Sequence, residues 1–229
     1  MKNLQQGWRV AQSHANPQSK RRLAKPRQVR VLPHYPERGI LMKKEGEIRI
    51  PSGCAISAII SENGEKMTGE TIIKSMIPMH DRSNGLGGGF AAYGIYPEYK
   101  ELYALHIFYN DNVDRVECER FLKDSFEIVK AENIPIRKIP EITDVPYIWR
   151  YFVAPLSSVL SRLQLDEKEY VARTVMHINT DLNGAYVFSS GKNMGTFKAV
   201  GFPEDVGRFY RLEEYEGYSW TAHGRYPTN

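Results

Sequence analysis

Cysteine is scarce in this sequence. Cys54 and Cys118 are the only two among 229 residues, too few for a disulfide framework or a four-thiolate metal site. Long hydrophobic runs are missing too. The longest lies around Cys54 to Ile60 and mean hydropathy is −0.47, whereas a membrane-spanning helix needs about 20 apolar residues. The first thirty residues carry positive charge but no apolar core leading to a small-residue cleavage site, so no secretory signal is read and a cytoplasmic location is expected. The six histidines form no HExxH pattern and none pairs with a cysteine at ligand spacing, so no metal ligand set is expected. Phosphate cradles are not seen either. Gly85-Leu-Gly-Gly-Gly-Phe90 lacks the last glycine of GxGxxG, and Ser190-Gly191-Lys192-Asn193 has no upstream Walker glycine and no hydroxyl residue after its lysine.

What is present is ordinary in bulk. A mass of 26.3 kDa suits one large domain or two small ones, and 41% apolar, 11% aromatic and 25% charged residues are near globular averages. Charge, however, is uneven. Residues 1–53 hold twelve of the 31 Lys and Arg but three of the 27 Asp and Glu, a net of +9, which leaves 19 basic and 24 acidic residues, a net of −5, in the body. Lys20-Arg21-Arg22 with Lys25, Arg27 and Arg30 would be the basic patch, but no helical apolar period or interleaved aromatics accompany it. Specific nucleic-acid recognition is therefore not supported, and residues 1–53 read as a disordered basic leader. Composition turns ordinary at Met42, which would serve as a translation start. Residues 1–41 would then be absent from the natural protein, a reading that a tryptic peptide from that stretch would rule out.

From Ile48 the chain reads as mixed α/β, an α+β body with no repeat period. Cys54 to Ile60 is expected to be a buried strand ended by the turn Glu62-Asn63-Gly64. Thr68 to Met79 spaces Ile72, Ile73, Met76 and Ile77 for a helix. A glycine-dense loop over 81–89 then runs into a strand from Phe90 to Tyr96. Two rounds of strand and helix follow, forming an inserted small α/β unit at about 100–180. Its expected pieces are strands at Leu102–Tyr109, from Phe126 and at Ile148–Val153, with helices at Asp114–Phe126 and Asp166–Ile178. The turn Leu182-Asn183-Gly184 leads into a strand over Ala185–Phe188, and Tyr215–Ala222 is the last strand.

Three segments carry residues with chemistry. Cys54 opens its strand after the small junction Pro51-Ser52-Gly53, although a free cysteine in a strand is ordinarily just a small hydrophobe. Cys118, on a charged helix, reads as inert. The glycine run lets a backbone or ligand approach closely, and a tight turn accounts for it equally well. The tail places His223, Arg225 and Thr228 at a strand end. Arginine suits a bidentate carboxylate clamp, though alone it is more often a surface ion pair.

Together the segments resemble the class II glutamine amidotransferases, specifically the glutaminase domain of glutamate-synthase type. Pro51-Ser-Gly-Cys54-Ala-Ile-Ser57 resembles the nucleophile junction, with Ala55 where glycine is usual. His80-Asp-Arg82-Ser-Asn-Gly85-Leu-Gly-Gly-Gly-Phe-Ala-Ala92 resembles the loop that closes on glutamine, and Trp220-Thr-Ala-His223-Gly-Arg225-Tyr-Pro-Thr228-Asn229 resembles the family's His-x-Arg-(aromatic)-x-Thr segment. The likeness covers residues 51–229. It implies an N-terminal-nucleophile αββα sandwich, incomplete at its C-terminal end, and removal of the leader through Gly53 so that Cys54 becomes the first residue. A free thiol has a pKa of about 8.5 and an α-amino group about 7.7–8, so the amine of a leading cysteine can act as base toward its own sulfur.

The resemblance further implies that the thiolate attacks the glutamine side-chain amide. Arg225 would hold the substrate α-carboxylate, with Thr228, His223, Arg82 and Gly85 helping to line the pocket. Ammonia would pass to a glutamate-synthase-type synthase domain or subunit, with no cofactor and no metal on this chain. The family continues into a His-Asn-Gly oxyanion segment that this sequence does not contain, and losing such a donor costs roughly 10²–10³ in turnover. Little glutaminase activity is accordingly expected of the chain alone. Two alternatives remain open: another N-terminal-nucleophile amidohydrolase, or a non-catalytic fragment or binding module using the basic leader.

Overall fold

The computed structural model describes residues 54–224, all within the compact unit Arg49–Asn229. In chain order, β1 (Ile56–Ile60) turns at Glu62 and Asn63, with Gly64 at φ +72°, and β2 (Met67–Thr68) leads into α1 (Gly69–Met76). Helix α1 buries Ile72, Ile73 and Met76, each contributing about 1.5–3 kcal/mol by leaving water. It gives way to a 3₁₀ turn over Ile77–Arg82 that begins at the Ile77-Pro78 pair, because proline has no N–H to continue the α-helical ladder. The helix thus stops three residues short of Met79, where the sequence spacing extends it. After the glycine loop come β3 (Gly88–Tyr93), β4 (Tyr103–Tyr109) and α2 (Asn112–Lys123). Asp111 caps α2 by accepting from the Val113 and Asp114 amides at 2.7 and 3.0 Å.

Next are β5 (Phe126–Asn133), β6 (Tyr147–Pro155) and α3 (Ser157–Leu163). Helix α4 (Glu167–Asp181) follows, capped by Asp166, and then β7 (Ala185–Lys192) and β8 (Met194–Ala199). The chain then forms α5 (Pro203–Phe209), β9 (Glu216–Gly217) and β10 (Ser219–His223). Tyr218 separates β9 from β10, so the last expected strand is in fact two. The former pairs with β2 and the latter joins the main sheet.

Two four-stranded antiparallel sheets organise these elements. Sheet I has the order β1-β10-β3-β8, and sheet II the order β5-β6-β4-β7. Helices α1 and α5 cover one face of sheet I, where Phe90, Ala92, Phe197, Trp220 and Ala222 pack against Ile72, Met76, Val206 and Phe209. Strand β1 departs from expectation. It lies at the edge of sheet I, and its Ile56 and Ile60 are 68% and 73% exposed. Composition gave no warning, since Ile and Ala suit a buried and an open face alike until a partner layer is known.

Sheet II is a β-α-β-β-α-β unit. Relabelled within the unit, its strand order is 4-1-3-2, the ferredoxin-like arrangement. Leu105, Ile107 and Tyr109 of β4 face Leu122 of α2 and Val171 and Ile178 of α4. Cys118 is buried in this layer, and burial pushes its thiol up to about 11, which leaves it a protonated core residue. The unit reaches Lys192, beyond the expected end near 180, because β7 continues into the turn at Asn193 (φ +52°) that starts β8.

The unit grows out of a hairpin. Tyr93 of β3 pairs with Met194 of β8, and the Gly94 amide donates to the Asn193 carbonyl at 2.7 Å, so the inserted chain leaves and returns at adjacent points. A buried polar junction fastens the two sheets. His106 on β4 lies against the Thr196 carbonyl of β8 at 2.8 Å through Nδ1. A carbonyl only accepts, so Nδ1 carries the proton and Nε2 accepts from the Tyr96 hydroxyl at 2.9 Å. Arg150 donates to the Tyr96 and Tyr215 hydroxyls, both at 3.1 Å, and pairs with Glu132. Burial, with Arg150 nearby, lowers the His106 pKa to about 3 and so keeps the ring neutral.

Candidate functional site

The segments singled out in the sequence meet at one end of sheet I. Cys54 is exposed immediately before β1. Its neighbour Ala55 is buried under α1, and the Ala55 carbonyl accepts from the Gly224 amide at 2.8 Å. Gly224 sits just past the end of β10, and its own carbonyl accepts from the Ser83 hydroxyl, which ties the glycine-dense loop to the same point. The nucleophile junction, the loop and the His223-Gly224 tail are thus joined by two hydrogen bonds around one glycine.

Beneath the loop lies the start of α5. The His80 ring stacks on Phe202 with centroids 3.9 Å apart, and its Nδ1 pairs with Glu204. Gly85 adopts φ +68° and presses toward the Phe202 ring, which lies 3.0 Å from where a Cβ would be, so glycine serves both the backbone and the packing there. The Asp205 carboxyl is held above the usual carboxylate range by burial and then by the neighbouring Glu204 charge. Among the described residues the second carboxylate oxygen of Glu204 is buried without a hydrogen-bond partner.

The face of sheet I opposite α1 and α5 is open among the described residues, and cross-strand register sets out its side chains in rows. Ile56, His223, Gly89 and Lys198 form the row nearest Cys54. The next row is small, made of Ala58, Thr221, Ala91 and Thr196. Further along come Ile60, Ser219, Tyr93 and Met194. Over the first two rows and the Gly87–Gly89 backbone lies a cleft of about 370 Å³, at the small end of the range for ligand sites. Cys54 lies two residues before Ile56, which lines this cleft.

Of the six candidate site residues, four fall among the described residues. Cys54, Gly85 and His223 belong to this end of the sheet, with His223 lining the cleft, while Arg82 is exposed at the end of the 3₁₀ turn. Arg225 and Thr228 lie outside the described residues. Sequence reasoning took Ser83 only as part of the 82–89 loop expected to line the pocket, and missed Lys198, Phe202 and Glu204. For the last two a signal existed: Phe202-Pro203-Glu204-Asp205 has proline at the first helical position and acids in the first turn, a helix start. Nothing in the sequence gave the register that puts Lys198 beside Gly89.

By class, the chain is a mixed α/β protein built on antiparallel sheets, and among the described residues no helix is long and apolar enough to cross a membrane. No protein-family model matches it. Over 179 residues, 77% of this chain, it is 49% identical to a protein of Archaeoglobus fulgidus described as uncharacterized. The chain spans about half the length of that relative, 47%.

Proposed function

We propose that the chain carries the glutaminase site of a class II glutamine amidotransferase of glutamate-synthase type, on an N-terminal-nucleophile sandwich of which sheet I is one sheet and α1 and α5 the outer layer. One observation carries the reading: Cys54, the Ser83–Gly89 loop and His223-Gly224 converge at the end of a cleft although they are up to 170 residues apart in sequence. The convergence pairs an exposed thiol with a small-floored cavity and a glycine-rich backbone, the parts an acyl transfer to sulfur requires. The open face of sheet I also supports it, since a sandwich sheet keeps one face for its partner sheet.

In this reading the leader is removed after Gly53. The α-amino group of Cys54 takes the thiol proton while Sγ bonds to the amide carbon of glutamine. The tetrahedral intermediate expels ammonia, whose nitrogen receives the proton from the amine, leaving a glutamyl thioester. Water then adds, the carbon–sulfur bond breaks, and glutamate leaves with the thiol restored. Ammonia passes to a synthase domain or subunit.

The test is labelling of the expressed full chain with a diazoketone analogue of glutamine, read by intact and peptide mass. The expected product is a chain beginning at Cys54, with one adduct on that residue and none on Cys118, suppressed by excess glutamine. Retention of residues 42–53 in every molecule, or an adduct insensitive to glutamine, would overturn the proposal.

A further inference from the structure

The helical layer of the inserted unit holds a second cleft, of about 330 Å³. Helices α2 and α4 pack on the face of sheet II that carries Leu105 and Ile107, whereas Ala104 and Phe152 on its other face join the core of sheet I. Sheet II therefore lies between this cleft and the Cys54 end of sheet I. Helix α4 lines the cleft with Tyr170, Arg173, Thr174 and His177, which share one helix face at i, i+3, i+4 and i+7. Phe121 of α2, with Leu163 and Leu165 at and just past the end of α3, forms the other walls.

One polar group of this lining lacks a partner. Thr174 is 4% exposed, yet its hydroxyl makes no hydrogen bond among the described residues. On the same helix the Thr180 hydroxyl donates back to the Met176 carbonyl at 2.9 Å, so the local partner that a helical threonine can use is taken there and left at Thr174. A buried hydroxyl without a partner is costly. It is not sealed in, since the sealed unpartnered side-chain atoms among the described residues belong to Trp149, Glu204 and Glu213. The cleft that Thr174 lines is its opening.

The remaining lining narrows the chemistry. Arg173 Nε donates to Glu169 at 2.7 Å and His177 Nδ1 pairs with Asp181 at 2.6 Å, so each basic side chain already has an acidic partner on α4. The Asp181 carboxylate only accepts, which puts a proton on Nδ1 of His177 and leaves Nε2 without a partner among the described residues. The His177 ring lies against Phe121, with centroids 4.8 Å apart, and Tyr170 adds a third ring to the walls.

We propose that this cleft binds a small, uncharged planar ring carrying a hydrogen-bonding group. The ring packs against Phe121, Tyr170 and the two leucines, and its polar group meets the Thr174 hydroxyl. The site stands apart from the glutaminase reading and does not depend on it.

The test titrates the full chain, followed by protein NMR, with benzamide, whose amide both donates and accepts, and with benzoate, its charged analogue of the same shape. Benzamide is expected to bind in the millimolar range or tighter, shifting the signals of Phe121, Leu165 and Thr174, with benzoate weaker by roughly fivefold or more because desolvating its charge is unrewarded. Thr174→Val keeps the side-chain shape and deletes the hydroxyl. It should raise the melting temperature of the free chain, because it removes a buried group without a partner, and weaken benzamide by roughly threefold or more. Thr174→Ser, which keeps the hydroxyl, should stay within about twofold of wild type. If Thr174→Val does not fold, Phe121→Leu takes its place and should weaken benzamide to the same degree through loss of the ring wall. No binding of benzamide, shifts confined to other parts of the chain, equal binding of benzoate, or benzamide affinity unchanged in the variant would overturn the inference.

Discussion

His106 shows how a residue type says little until its neighbours are known. In the sequence it is one of six histidines with no motif, whereas in the fold it is wholly buried and ties sheet II to sheet I through Tyr96 and Thr196. Its pKa falls from 6.5 unfolded to about 3 folded. The unfolded chain thus binds the extra proton between those values, and stability must fall as pH drops through that window, by about 1.4 kcal/mol per unit at most. Urea unfolding from pH 7 to 4 should show this slope beneath that of the carboxylates. His106→Gln, which can still donate to Thr196 and accept from Tyr96, should be less stable at pH 7 but lose the His106 share of the slope. An identical pH profile for the two proteins would contradict the assignment. Arg150→Met, by contrast, should cost about 1–3 kcal/mol, because it removes the guanidinium from the buried Tyr96 hydroxyl, while the half-buried Glu132 keeps Lys130 as a partner.

Elements are where the sequence was most readable. The strand read at Leu102–Tyr109 and the helices read at Asp114–Phe126 and Asp166–Ile178 fall within a few residues of β4, α2 and α4, because those elements bury a face against a layer of their own, whereas the short helix α3 was not read. Strand β8 and α5 went unread, since β8 mixes glycine and lysine, and α5 is a short helix of seven residues. The two sheets share a core: Ala104, Ile148 and Phe152 of sheet II pack with Phe197 and the α1–α5 layer. They should therefore unfold together. In a Trp8→Phe background, Trp149 reports on sheet II and Trp220 on sheet I. Single Trp149→Phe and Trp220→Phe variants, each leaving one reporter, should give a single transition seen equally by fluorescence and by far-ultraviolet circular dichroism. Two separated midpoints within one variant would show that the inserted unit is autonomous.

For the whole molecule, the asymmetry of sheet I matters most. One face is sealed by α1 and α5, while the other presents Ile56, Ile60 and Tyr93 to solvent. An exposed apolar sheet face of this kind marks an interaction surface, and the chain should bind a solvent-sensitive apolar dye while folded. Ile60→Glu should lower that signal and change stability by no more than about 0.5 kcal/mol, since the residue is 73% exposed. A destabilisation of several kcal/mol would mean that Ile60 is packed after all. Charge divides along the same boundary as the proposed processing. Loss of residues 1–53 takes the formal net charge from +4 to −5, so a matured chain should move from cation-exchange to anion-exchange resin at neutral pH.

By itself the sequence determined the alternating elements, the absence of a disulfide framework, and the three short segments around Cys54, Gly85 and His223, because such signals depend on residue type and near spacing. Tertiary structure alone decided that β1 is an edge, that Ser83 and Gly224 bind the three segments together, and that Lys198 lies beside Gly89 in the lining of the cleft. Those facts depend on cross-strand register and on which face finds a partner layer. Both arise only when strands far apart in the chain come to lie about 4.8 Å from one another.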